Sequence, residues 1–390
     1  MAGREGGLGT RRRAATILLI AAGAGIAWLG HQADWLLLLL FGGQVAVLGV
    51  CLAIRRAVYA SVLVLSFLFA VTAAEFFLST ERMLNALTRY GGDFTSGYYA
   101  GSDLGVQGRP GVHTARKLLR IGGTIFDVKY TIGADGFRVT PAPAPAPPSA
   151  PTAGRRINFF GCSYMFGEGV NDDETLPYFV AKYGGFAVKN YAFQGYGPHQ
   201  ALAILQSGRD TAGAVNFFLT VPWHAPRAAC VPEWTAHSPR YVLDGGKAVR
   251  AGTCRETPAA AHGFFATLAD GSMIVEVLDD LLHRGRSQDR QLDLHIALIG
   301  EMQEISLRRG QELVVGYLRT RDGWFAGSYT NDRFIAALQR KGIRVIDLTL
   351  GESLFDLDGR HVIHLLDAHP SRAANAERAK RVVEFLREMR

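Results

Sequence analysis

The sequence predicts an α/β protein, a three-layer α/β/α domain preceded by three transmembrane helices. Three observations predict it. Apolar runs of roughly membrane-spanning length fill the first 80 residues. From Arg156 onward, short apolar strand-like stretches alternate with helical ones, the pattern of a parallel sheet covered by helices. Glycine-rich turns follow several of those strands, and sheets of this kind place their sites at the C-terminal strand ends.

The apolar runs are Ala14–Gly30, Trp35–Ile54 and Val58–Leu78, each close to the ~20 residues a helix needs to cross ~30 Å of hydrocarbon. Arg4, Arg11, Arg12 and Arg13 precede the first run, and Arg55 and Arg56 separate the second from the third. The segment His31–Asp34 has neither Lys nor Arg. By the positive-inside rule the N-terminus is cytoplasmic and everything after Ser79 lies outside. Trp28 and Trp35 flank the outer loop, where amphipathic rings favour the interface. A signal peptide is the competing reading of the first run, but no clear cleavage site precedes the two further runs. Glu75 falls near the outer end of the third run, where a carboxylate reaches solvent.

The formal charge is +7 over 390 residues. Much of the basic excess flanks the apolar runs, and no basic and aromatic stripe points to nucleic acid, which is excluded as a partner. Four cysteines are present without CxxC or Cys/His metal spacing, so no metal is expected. Cys51 lies in an apolar run and Cys162 in a motif treated below. Cys230 and Cys254 flank a polar loop. They can pair in an oxidising compartment or stay as two free thiols, and because the loop is expected outside, the bonded pair is expected.

The division expected is a membrane anchor over 1–79, a β-containing segment with a linker over 80–155, and the α/β domain over 156–390. In the middle segment, Thr124–Ile132 alternates apolar and polar residues like a half-buried strand. Ala134-Asp135-Gly136 reads as a turn. Pro141–Pro151 is Pro/Ala-rich, a stiff extended linker or a long surface loop. In the last segment, Ile157–Phe160, Phe186–Tyr191, Val215–Val221, Glu312–Leu318 and Arg344–Leu348 read as strands. Leu176–Tyr183, His199–Gln206, Leu292–Arg308, Asp332–Arg340 and Ser371–Met389 read as helices.

Three turns carry candidate chemistry. The apolar strand ending Phe159-Phe160 runs into Gly161-Cys162-Ser163 and then a glycine-rich turn, Phe166-Gly167-Glu168-Gly169-Val170. Ser163 is thereby placed at the sheet edge beside free backbone N–H groups, which suits a nucleophile and its oxyanion. Without a downstream partner it reads instead as a serine in a tight strand-to-helix turn. Asn190-Tyr191-Ala192-Phe193-Gln194-Gly195-Tyr196-Gly197 is a second strand followed by a glycine-rich loop. Near the C-terminus, Asp367-Ala368-His369-Pro370 precedes the last helix. His361 and His364 are rival bases, with Asp358 three residues before His361.

These blocks resemble the SGNH/GDSL hydrolases. The nucleophile block there is usually Gly-Asp-Ser, continued in many bacterial members by Phe-Gly-x-Gly-Val, acidic residues and Thr-x-Pro. Here Asn171 to Pro177 completes that continuation, and Cys162 replaces the Asp. Tyr130–Arg138 (YTIGADGFR) also resembles a segment found upstream of the nucleophile in bacterial members. The resemblance spans Ile157–Arg390, with an insertion around Ala225–Arg290. It implies a flavodoxin-like SGNH domain in which Ser163 is the nucleophile, His369 the base and Asp367 the residue that orients it. It gives the oxyanion hole the N–H groups of Ser163 and Gly195, with Gly197 as alternate. The family's third block, Gly-x-Asn-Asp, is replaced by Leu219-Thr220-Val221-Pro222-Trp223-His224. His224 is expected to stand in for the missing Asn as a donor, and Arg227 to bind an anionic substrate; Trp223 as a packing residue and His224 as a surface loop residue is the plainer reading. The chemistry implied is cleavage or transfer of acyl esters on an envelope carbohydrate or lipid, outside the cytoplasm, with no cofactor. The alternative is a non-catalytic subunit of an envelope or polysaccharide assembly system, for which the absent Asn speaks.

Overall fold

The computed structural model describes residues 16–28, 36–53, 58–78, 87–93, 97–143, 155–208, 215–256, 273–351 and 359–389. Two compact units are present, residues 1–86 with 259–283, and Leu87–Pro258 with Arg284–Arg390.

The first unit corrects the sequence reading. Three helices form where the apolar runs lie, α1 (16–28), α2 (Leu36–Ala53) and α3 (Val58–Leu78). Among the described residues, however, no helix is long and apolar enough to cross a membrane. The three expected transmembrane helices are therefore not supported. The third helix carries Glu75 in its last turn. Glycines let α1 and α2 approach closely, since a Cβ on Gly23 would meet the Ala46 nitrogen at 2.3 Å. The expected basic clusters at Arg4, Arg11 to Arg13 and Arg55-Arg56, the loop His31–Asp34, and Trp35 lie outside the described residues.

The second unit is built on a five-stranded parallel sheet. Its strands are β6 (Arg156–Phe160), β7 (Ala187–Asn190), β8 (Val215–Thr220), β11 (Glu312–Tyr317) and β12 (Arg344–Asp347). The spatial order is β12-β11-β8-β6-β7, and every neighbouring pair is parallel. Numbered along the chain this is 2-1-3-4-5, the flavodoxin-like order, whose switch point lies between the first and third strands. Here that point falls between β6 and β8, at the end of the strand that leads into Ser163. Every residue of β8 is buried, as expected for a strand covered on both faces.

The connections are helical. Ser163–Phe166 forms the single turn α4, and Leu176–Gly184 forms α5. They are followed by α6 (Pro198–Ser207), α7 (His224–Ala228), α8 (Met273–Arg308, in this unit from Arg284 onward), α9 (Asn331–Arg340) and α10 (Arg372–Glu388). The last helix packs on α5. Thr175 caps α5, Thr330 caps α9 and Ser371 caps α10, each accepting a backbone N–H from the first turn. Phe159, Phe217, Phe218, Val314 and Leu298 fill the core around the sheet.

The segment before the parallel sheet belongs to the same unit. It holds an antiparallel sheet, β1 (Thr88–Gly92), β4 (Gly111–Leu119) and β5 (Thr124–Ile132), in the order β1-β4-β5. A small hairpin joins β2 (Tyr99–Ser102) to β3 (Gly105–Gly108). The alternation in Thr124–Ile132 is that of a strand with one buried face. Two further hairpins complete the unit, β9 (Pro239–Asp244) with β10 (Lys247–Thr253), and β13 (Val362–His364) with β14 (Asp367–Pro370). Part of the Pro/Ala-rich stretch, residues 144–151, lies outside the described residues, as does Asp358.

Candidate active site

The nucleophile turn begins where β6 ends. Gly161 has φ 155°, and a Cβ there would come within 2.9 Å of Met165 Cβ and 3.1 Å of Leu219 O, so the sharp turn needs glycine. Cys162 is buried at the cap of α4, and Ser163 opens the turn. The N–H groups of Gly167 and Glu168 both donate to Ser163 O, at 2.9 and 3.0 Å. The N–H of Ser163 itself donates to nothing among the described residues.

A fully buried arginine holds the far side of this turn. The Arg138 guanidinium donates to Phe166 O at 3.0 Å, Gly167 O at 2.5 Å and Val170 O at 2.7 Å. Its Nε donates to Asp172 Oδ1 at 2.8 Å. The helix α4 is too short to satisfy its own last carbonyls, so Arg138 satisfies them from outside.

The C-terminal hairpin brings the second half of the site. In β14 the chain is extended, so residues two apart point the same way. Asp367 Oδ1 therefore meets His369 Nδ1 at 2.6 Å. His369 Nε2 lies 2.9 Å from Ser163 Oγ. The structure thus brings Ser163, His369 and Asp367 into a continuous serine–imidazole–carboxylate chain. The ring of Tyr164 stands edge-on to His369 at 5.2 Å between centroids.

Two further charges complete the cluster. Lys117, on β4, donates from Nζ to Asp367 Oδ2 at 2.9 Å. Glu168 places Oε2 3.6 Å from His369 Nε2 and accepts from the Tyr90 hydroxyl at 3.1 Å through Oε1. Lys117 Nζ lies 5.1 Å from the centre of the Tyr90 ring. Burial opposes ionisation of Asp367, but the hydrogen bond and charge of His369, together with Lys117, prevail. They hold its carboxyl well below the usual range. Burial pulls the other way on His369, yet the negative charges of Glu168 and Asp367 outweigh it and raise the imidazole above its ordinary value.

The loop after β7 faces this chain of groups. Phe193 N–H donates to Gly161 O at 3.3 Å, and Asn190 Nδ2 donates to Met165 O at 3.2 Å, which ties the loop to the nucleophile turn. Gly195 has φ 77°, and its N–H donates to nothing among the described residues. The Gly197 N–H is occupied by Gln200 Oε1 at 2.9 Å, so of the two glycines Gly195 keeps the available donor. A Cβ on Gly195 would meet the Trp234 ring at 2.8 Å. Beside it, Gln194 accepts from the Tyr98 hydroxyl at 3.2 Å and leaves its buried amide nitrogen without a partner among the described residues.

His224 is not part of this cluster. It is fully buried, and its Nδ1 pairs with Thr220 Oγ1 at 3.1 Å, an oxygen that also meets His295 Nε2 at 2.9 Å. Burial, then the charge of Arg227, hold His224 well below the ordinary imidazole value, so it is neutral. Arg227 donates to Tyr196 O at 3.2 Å and lies 5.4 Å from the Trp234 ring centre, bracing the glycine loop. His361 Nε2 is 3.3 Å from Glu377 Oε2, and His364 Nδ1 accepts the Leu366 N–H at 3.1 Å, so these rivals face other partners. Cys230 and Cys254 are bonded, with Cα atoms 5.3 Å apart, and close the loop that carries Trp234. Among the described residues, no group of three or more His, Cys, Asp or Glu side chains is gathered to hold a metal ion.

Sequence reasoning assigned no role in the site to Lys117, Glu168, Tyr90 or Arg138. Two of the four left a trace. Arg138 closes the YTIGADGFR segment, and Glu168 sits inside the glycine-rich turn after Ser163. Lys117 and Tyr90 left none, because pairing over such sequence distances has no local signature.

No family model matches the chain, and no curated protein matches it in sequence. Solved structures do match. A GDSL-like lipase from Bacteroides thetaiotaomicron is 12% identical and covers 60% of this chain and 89% of its own, with a TM-score of 0.32. In structure the chain is similar to GDSL-type hydrolases. An acetyl xylan esterase from Butyrivibrio proteoclasticus is 10% identical and covers 61% of this chain and 64% of its own, with a TM-score of 0.33. A carbohydrate esterase family 2 enzyme with a carbohydrate-binding domain, from Corynascus thermopiles, is 13% identical and covers 71% and 76%, with a TM-score of 0.33.

Proposed function

We propose that this chain is a serine esterase of the SGNH kind, which cleaves acyl esters by nucleophilic catalysis. The observation that carries the reading is the chain Ser163 Oγ to His369 Nε2 at 2.9 Å and His369 Nδ1 to Asp367 at 2.6 Å. A serine hydroxyl is a weak nucleophile until a base lies within hydrogen-bond reach, and the base works when a third group fixes its tautomer. Ser163 Oγ attacks the ester carbonyl as His369 Nε2 takes its proton. The N–H groups of Ser163 and Gly195 receive the oxyanion. The imidazolium returns the proton to the leaving alcohol, giving an acyl-serine. Water, activated by His369, releases the acid and restores Ser163. A sugar hydroxyl in place of water makes the same apparatus a transferase.

The substrate class proposed is an acylated carbohydrate or lipid of the envelope, met outside the cytoplasm. The Cys230–Cys254 bond supports the location, since such bonds persist in oxidising compartments. The exposed Trp234 ring against Gly195 supports a sugar-sized alcohol portion, because a flat apolar face suits a pyranose. A reporter fused after Arg390 is expected to be exported, and a cytoplasmic readout overturns the location.

Labelling with a fluorophosphonate tests the chemistry. The wild-type protein is expected to label on Ser163, and Ser163→Ala to lose labelling and ester cleavage by at least about a thousandfold with the fold intact. A folded wild-type protein that neither labels nor cleaves simple acyl esters overturns the reading. It leaves the non-catalytic alternative, which one observation favours: His224 is turned inward and does not replace the absent Asn.

A further inference from the structure

His369 is flanked by a carboxylate on each ring nitrogen. Asp367 at Nδ1 belongs to the triad, but Glu168 at Nε2 does not. Its placement is built rather than incidental. The side chain is 5% exposed, and its carboxylate accepts the Tyr90 hydroxyl. The backbone on each side is fixed in the left-handed region, with Gly167 at φ 86° and Gly169 at φ 78°. A Cβ on Gly167 would come within 2.6 Å of Thr175 Cγ2, and one on Gly169 within 2.2 Å of Ile363 Cδ1. The Gly169 N–H donates to the Tyr130 hydroxyl at 2.8 Å, and the Glu168 N–H donates to Ser163 O. Two glycines thus fold the chain back over α4 and aim one carboxylate at the atom that must take the serine proton.

Resting on the esterase reading, we propose that Glu168 is a positioning residue that holds a second negative charge at His369 Nε2 and favours the imidazolium formed when Ser163 gives up its proton. The groups facing His369 are few. Asp367 lies on its own strand, Lys117 comes from β4, Ser163 and Tyr164 from α4, Glu168 from the turn after α4, and Tyr90 from β1 through Glu168. Lys117 opposes a positive imidazole but is paired with Asp367, so Glu168 is the charge whose removal changes the balance at Nε2. A neutral imidazole is the active base. Activity therefore rises with pH through the titration of His369, and the second carboxylate moves that rise to higher pH.

The test is Glu168→Gln, which keeps the shape and removes the charge. The kcat/KM profile for a simple acyl ester is expected to rise at lower pH than in the wild type, with a plateau about tenfold lower because the imidazolium has lost a partner. Glu168→Asp, which withdraws the charge by one methylene, is expected to shift the profile in the same direction by less. The imidazole signals of His369 are also followed by NMR in a Ser163→Ala background, where no turnover is needed. There the Gln variant is expected to titrate at lower pH than its parent. A lower plateau with an unmoved midpoint, or a midpoint moved upward, overturns the proposal and leaves Glu168 a packing residue. A wild-type protein without esterase activity but with the NMR shift intact separates failure of the esterase reading from failure of this one.

Discussion

The loops of the parallel sheet supply Ser163 and Gly195, and the C-terminal hairpin β13–β14 adds His369 with Asp367 behind it, the groups gathered where an ester would bind. The antiparallel segment β1-β4-β5 and the turn after it supply Tyr90, Lys117 and Arg138, which stand one contact further back. Tyr90 holds Glu168, Lys117 holds Asp367, and Arg138 holds the carbonyls of the nucleophile turn. Within this first set, Ser163 and Gly195 follow the direction of parallel strands, whose C-terminal ends converge at the switch point. The second set comes from a sheet with one buried face, and it reaches the site through long side chains. What differs is the kind of failure each region allows. On the esterase reading, loss in the first removes chemistry, and loss in the second leaves the chemistry in place with its geometry unsupported.

Substitutions in the antiparallel segment can break this distinction, and Arg138 has the largest expected effect. Arg138→Met leaves the carbonyls of Phe166, Gly167 and Val170 without their donor and Asp172 without its partner. The expected cost is ~3–5 kcal/mol of stability, read from denaturant unfolding. A loss below ~1 kcal/mol would mean that the nucleophile turn stands without its brace.

Lys117→Met comes next. It is expected to lower kcat/KM by about tenfold, ~1.4 kcal/mol, while fluorophosphonate labelling persists at a reduced rate. Abolition of labelling would move Lys117 from support into the chemistry. The same variant carries a pH signature. The folded pKa of Asp367 lies below its unfolded value, so its contribution to stability is full above the ordinary carboxylate pKa of ~4 and is lost as the pH falls through the folded value. Removing Lys117 shrinks that contribution. The variant is expected to be less stable than the wild type at neutral pH, with the gap narrowing below pH ~4.

Asp127 gives the smallest effect. Its ion pair with Arg116 on the same sheet, at 2.9 Å, has side chains 49% and 51% exposed. Asp127→Asn is expected to cost less than ~1 kcal/mol and to leave turnover unchanged. A rate effect there would show that the whole sheet, and not selected side chains, supports the site.

Legibility in the sequence followed the range of the interactions. The α/β alternation was readable because each strand and helix carries its own period, and β8, with both its faces covered, is apolar from Phe217 to Leu219. Ser163 was readable because a strand, a glycine and a short turn lie in one stretch. Asp367 and His369 stand two residues apart, and β14 shows why they meet: in extended chain the second residue onward faces the same side. Lys117 was not readable, since 250 residues separate it from Asp367. Glu168 was hidden between two glycines that read as turn residues.

The pairing within β14 also orders events during synthesis. The acid and the base lie two residues apart and arise together, whereas the nucleophile precedes the base by 206 residues. A chain emerging N-terminus first carries Ser163 through most of its elongation with no imidazole to activate it. On the esterase reading, it acquires reactivity only when the last hairpin docks against the nucleophile turn, so a chain cut short before residue 367 is chemically silent however well its sheet has formed.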